Sequence, residues 1–148
     1  MAGKYPFFGS IQTLAGTNLV TGYTASSTTI EPSVANRIRF YVESTIATGS
    51  SVTTVTIKLQ FEYQDPAANV TGNAWMDLPS TLDDVQGAAQ PKGSTFEIDH
   101  AFTVSAPGTF SNSFYLAPPF GICQLRTAIK VNATGKAGDS VTVYAVAG

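Results

Sequence analysis

From Val55 to Tyr63 every second residue is apolar. Val55, Ile57, Leu59, Phe61 and Tyr63 fall on one side of the chain, with Thr54, Thr56, Lys58, Gln60 and Glu62 on the other. A period of two predicts a β-strand with one buried and one wet face, because at 3.6 residues per turn those side chains would scatter around a helix. The same alternation predicts a half-buried strand over 36–43, with Ile38, Phe40 and Val42 inward and Arg37, Arg39, Tyr41 and Glu43 outward. Thr48-Gly49-Ser50-Ser51 lies between the two as a turn signal. So short a link predicts that they pair as an antiparallel hairpin.

The remaining elements are shorter. Residues 11–14 and 18–24 read as edge strands or an extended arm, and Tyr5, Pro6, Phe7 and Phe8 precede them. Bulky aromatics at a terminus need a cover, which the domain's own flank or a neighbouring subunit would supply. After an Asp65-Pro66 turn, 74–78 is a short strand carrying Trp75, and 81–94 is a surface loop with little periodicity. Alternation returns over 95–104, where a slip near His100-Ala101 predicts a bulge, and over 109–116, with Phe110 and Phe114 to one side. Pro118-Pro119 marks a crossing loop. Two plain strands close the chain: Leu125, Thr127, Ile129 and Val131 are in phase, then Val141, Val143 and Ala145.

About eight to ten strands, evenly spaced by turns and with no amphipathic helix, predict an all-β fold: an antiparallel, jelly-roll-like β-sandwich with an extended N-terminal arm. The 148 residues suit a single domain, with 1–34 forming the arm and edge strands packed on the sandwich of 35–148. No repeat of 20 to 50 residues suggests a propeller or solenoid.

Charge narrows the partners. Charged residues make up 12% of the chain, about half the roughly 25% of an ordinary soluble domain, and the formal net charge is -2. That balance gives no footprint for a phosphate backbone, so nucleic acid is not expected. No stretch approaches the ~20 apolar residues that span a bilayer, and no membrane partner is expected. The N-terminus lacks a continuous apolar core of a signal peptide, which predicts synthesis in the cytoplasm without export by a cleaved signal. Cys123 is the only cysteine, which excludes an intrachain disulfide and reads as a small buried hydrophobe.

Catalytic chemistry finds little purchase. His100, the only histidine, sits mid-strand between Asp99 and Ala101 and reads as a surface or hydrogen-bonded residue rather than a general base. No Cys/His cluster suits zinc, and Asp65, Asp77, Asp83 and Asp84 follow no calcium-loop spacing. No catalytic, metal or cofactor residue is therefore assigned, and no cofactor is expected. Ten carboxylates could contain a glycosidase pair, but nothing selects one. The sequons at Asn69 and Asn132 read as chance in a Thr-rich chain.

The run from RIRFYVES through VTIKLQFEYQDPAANVTGNAWMDL to LRTAIKVNATGKAGDSVTVYAVAG resembles small all-β virion proteins of tailed bacteriophages, particularly capsid decoration or cement proteins. The likeness lies in the order of features: a long strand, a polar turn, Trp75 and Leu78 on a short strand, Leu125-Arg126, and a closing strand from Gly138 to Val143. The resemblance implies a non-enzymatic structural protein, made in the host cytoplasm, that binds the major capsid protein on the outer surface of the assembled virion as a dimer or trimer. Under that reading Tyr5, Phe7 and Phe8 are candidates for bridging to the shell or a neighbouring subunit. Tyr41 and Tyr144, on wet strand faces, are candidates for an oligomer contact. A neck, tail or baseplate protein is an alternative. Another is a carbohydrate-binding sandwich, with Trp75 and Tyr63 or Tyr115 as a stacking surface.

Overall fold

Alternation carries through into three dimensions most plainly in two long strands. In β3 (Ile38–Ile46) the side chains of Ile38, Phe40, Val42, Ser44 and Ile46 are buried, and in β4 (Thr54–Tyr63) those of Val55, Ile57 and Leu59. The computed structural model describes residues 7–30, 37–63, 76–77, 99–116 and 122–147. The other strands among these residues are β1 (Phe7–Ala15), β2 (Thr24–Ala25), β5 (Met76–Asp77), β6 (Asp99–Thr103), β7 (Gly108–Leu116), β8 (Ile122–Val131) and β9 (Ser140–Ala147), with a single 3-10 turn at Gly16–Asn18.

The strands form two antiparallel sheets. One runs β1-β9-β3-β7; the other runs β2-β8-β4, with β5 and β6 sharing the far edge of β4. Strands β1, β3, β7 and β9 thus alternate with β2, β4, β8 and the β5/β6 pair in wrapping one core, which is the jelly-roll order. Between the sheets lie Ile38, Phe40, Val42, Phe114, Leu116, Val141, Val143 and Ala145 from one side and Val55, Ile57, Leu59, Leu125, Ile129 and Val131 from the other. Burial of each large side chain contributes about 1.5–3 kcal/mol, which makes this layer the main source of stability.

Several expectations need correction. β3 and β4 do not form a hairpin: β3 pairs with β7 and β9, while β4 pairs with β8. Each strand buries one face, and the link 47–53 carries the chain over the end of the sandwich so that those faces meet across the core. No bulge occurs at His100-Ala101. β6 pairs with β4 in unbroken register from Lys58↔Asp99 to Thr54↔Thr103, which puts His100 and Phe102 in phase with the buried face of β4. Of the early segments, 11–14 is part of the longer β1, whereas 18–24 is largely irregular before the two-residue β2. Both β1 and β2 lie at sheet edges. β1 carries two register shifts, the first at Gly9, whose φ of 79° suits a bulge that few other residues tolerate.

Two loops lock the crossover. The carboxylate of Asp139, 1% exposed, accepts hydrogen bonds from the Ala47 amide (2.7 Å), the Ser50 hydroxyl (2.6 Å) and the Lys136 amide (2.9 Å). Asn132 Oδ1 accepts from the amides of Thr53 (2.8 Å) and Thr54 (2.9 Å) at the start of β4. The β8–β9 loop therefore clamps the β3–β4 loop at one end of the molecule. Along the side where β1 meets β2, Thr127 Oγ1 donates to Gln12 Oε1 (2.8 Å), Gln12 Nε2 donates to the Thr24 carbonyl (2.7 Å), and Ser26 Oγ donates to the Ile11 carbonyl (2.5 Å). These buried polar groups satisfy one another and stitch the two sheets together.

Candidate functional site

The outer face of the four-stranded sheet gathers residues that lie far apart in sequence. Directly opposed residues of an antiparallel pair project to the same face, so the register settles which side chains are neighbours. Tyr41 of β3 lies opposite Tyr144 of β9, and Arg39 lies opposite Tyr115 of β7 on one side and Val146 of β9 on the other. Phe7 lies opposite Val146 in turn, so β1 enters the sheet in the same row as Arg39. The flanks of the face are Ser and Thr, including side-chain contacts Thr13–Thr142 (3.2 Å) and Thr45–Thr109 (3.4 Å).

Within this face a guanidinium organises the aromatic rings. Arg39 Cζ lies 4.1 Å from the centroid of the Tyr115 ring and 5.7 Å from that of Tyr41, and Arg39 Nη1 donates to Tyr41 Oη at 3.1 Å. Arg37 Cζ lies 5.6 Å from the Tyr115 ring. Each such contact is worth about 0.5–1 kcal/mol at an exposed site, which favours this arrangement of the rings over others. Tyr41 is 39% and Tyr115 49% exposed, large apolar areas on an otherwise polar sheet, whereas Tyr144 is half-buried between its neighbours. Tyrosine and arginine are residue types enriched in protein–protein contacts.

Other places are less suited to a site. His100 faces the core: its ring stacks on Phe114 at 3.8 Å between centroids, within a cluster that joins Phe40 and Phe102. The ring is half-buried, with one face covered by Phe114. Tyr23 lies under Lys58 and Lys130 on the outside of the other sheet, at 4.2 and 4.7 Å from its ring centroid. Open clefts of about 330, 540 and 310 Å³ are lined chiefly by small and polar residues. Asp139 borders the second of them, but its carboxylate is already engaged by three donors. Among the described residues no group of His, Cys, Asp and Glu is arranged to hold a metal ion, and no helix is long and apolar enough to cross a membrane.

Of the expected contact residues, the structure brings Tyr41 and Tyr144 together and adds Arg39 and Tyr115, whose proximity no local pattern announces. Phe7 and Phe8 belong to β1, although their side chains, like Tyr5 as a whole, lie outside the described residues. So do Trp75, Asn69, Asp65, Asp83, Asp84 and the loop 81–94, and the side chains of Tyr63, Asp77 and Cys123. Asn132, read as a chance sequon, has its amide oxygen committed to the crossover.

No protein-family model matches the chain, and no curated protein does. Among solved structures it is similar to one described as Family 16 Carbohydrate Binding Module-2, with a TM-score of 0.40 and 8% identity over 99% of this chain and 86% of that one. Likeness at that level carries no inference about what this chain binds.

Proposed function

We propose that this chain is a non-enzymatic structural protein that docks on other proteins through the outer face of its four-stranded sheet, and that it reinforces the outer surface of an assembled bacteriophage capsid. The observation that carries the docking role is the Tyr41–Arg39–Tyr115 cluster, in which two exposed rings are held in contact with one guanidinium. The resemblance of its strands and turns to capsid decoration proteins supplies the virion setting, with the major capsid protein and further copies of the chain as partners. A protein that binds only the assembled shell stabilises it by mass action and needs no turnover. Placement in the neck, tail or baseplate would use the same chemistry. For sugar stacking, Tyr115 is the described candidate, and the guanidinium of Arg39 lies 4.1 Å over its ring, where a pyranose would compete with it.

Co-sedimentation tests this reading. The protein is mixed with shells assembled from the major capsid protein encoded with it, and separately with that capsid protein unassembled. Saturable pelleting with shells alone is expected. Equal binding to unassembled subunits, or binding to a glycan panel and not to shells, would contradict it.

A further inference from the structure

Charges on the docking face are arranged about Tyr41. Arg39 of β3, and Arg37 just before the strand, lie to one side of it and Glu43 to the other, with Ser111 and Thr142 beside Glu43. Among the described residues of this face these are the charged side chains, and Glu43 is exposed. Positions four residues apart on a strand are separated by roughly 13 Å, so Arg39 and Glu43 of one chain cannot pair with each other. They are placed to pair between chains.

We propose that a second copy of the chain covers this face, laid sheet against sheet about a two-fold axis that lies between the sheets and crosses β3 at Tyr41. Such an axis reverses the strand direction and leaves lateral positions unchanged. It brings Arg39 of each copy over Glu43 of the other, Tyr41 over Tyr41, Tyr144 over Tyr144, and Tyr115 over Ser111. At Tyr115 a large ring thus meets a small residue, which suits the roughly 10 Å between packed sheets. The contact is isologous, the commonest symmetry of soluble oligomers. Four strands about 4.8 Å apart and nine residues long present roughly 500 Å² per copy. Two copies then bury roughly 1,000 Å², the lower bound for a specific interface, and association in the micromolar range is expected. This inference rests on the reading of the sheet face as a protein-docking surface, and names its occupant.

Sedimentation velocity from about 1 to 200 μM tests it, together with charge reversals at half-buried Arg39 and exposed Glu43. The wild-type chain should move from 15.5 kDa towards twice that mass as concentration rises. R39E opposes four carboxylates across the axis and E43R four guanidiniums, and each should weaken dimerisation by about 100-fold or more. Mixed in equal amounts, the two variants should form a heterodimer, because every carboxylate of one then faces a guanidinium of the other. Recovery in the mixture is the result that a merely damaged fold would not give. A wild-type chain that stays monomeric throughout, or a dimer that both reversals leave intact, would overturn the proposal. In either case Y115A is then tested against shells: lost pelleting would mean that capsid protein occupies the face, so that the docking reading survives while the second copy does not. Unchanged pelleting would remove both.

Discussion

Asp139 shows how a single side chain supports the jelly-roll crossover. Burial, the largest single influence on its carboxyl, pushes its pKa up. The Ser50 hydroxyl, the amides of Ala47 and Lys136 and the charge of Lys136 together outweigh burial and hold the group below its ordinary value of 3.8. A lowered folded value means that the fold favours the ionised form. The stabilisation is therefore complete above the ordinary value and is lost as pH falls through the folded one. Asp139→Asn places an amide NH₂ against donors and should cost about 3 kcal/mol at pH 7. Urea midpoints at pH 7 and pH 3 check this: the gap between variant and wild type should shrink at the lower pH. Ser44 presents the opposite case, a fully buried hydroxyl with no hydrogen-bond partner among the described residues. Ser44→Ala should leave stability unchanged or raise it by up to about 1 kcal/mol, measured the same way. At Gly135 a Cβ would stand 2.5 Å from the Gly16 carbonyl oxygen and 2.9 Å from Leu19 Cβ, whereas at Gly22 it would meet nothing within 4 Å. Gly135→Ala should lower the thermal midpoint of unfolding by a margin that corresponds to about 2 kcal/mol, and Gly22→Ala should leave it nearly unchanged.

At the scale of strands, Asn132 ties the end of β8 to the start of β4, and its loss frees two amides at an exposed corner. Asn132→Ala should cost about 1 kcal/mol and speed hydrogen exchange at Thr53 and Thr54 ahead of the strand interiors. This corner also explains what sequence reading reached and what it missed. The alternation of Val55, Ile57 and Leu59 was legible because one face of β4 is buried and a period of two has no other cheap explanation. Which sheet each strand joins is not written in that period. A link of seven residues serves a hairpin or a crossover equally well, and here Asp139 and Asn132, distant in sequence, select the crossover. Likewise the outward phase of Tyr41 and Tyr144 was readable strand by strand. The meeting of Arg39 with Tyr115 was not, since it depends on β7 returning beside β3 from a distant part of the chain. The slip expected near His100-Ala101 is absent because the even phase continues unbroken through Phe102 to Val104, which turns the ring of His100 onto Phe114.

For the molecule as a whole, the described residues form two antiparallel sheets around one packed core, and the outer face of one sheet carries Arg39, Tyr41 and Tyr115. A packed frame suits a structural role, since a surface whose side chains are already in contact has less entropy to lose on docking. If the chain reinforces a shell, its effect must appear as added shell stability that saturates with concentration, because a partner that binds only the assembled state shifts its melting by mass action. The direct measurement is the disassembly temperature of purified shells, followed by light scattering as this protein is titrated in. The account predicts a midpoint that climbs with protein concentration and levels off once sites on the shell are filled. A midpoint that stays constant at every concentration would contradict it.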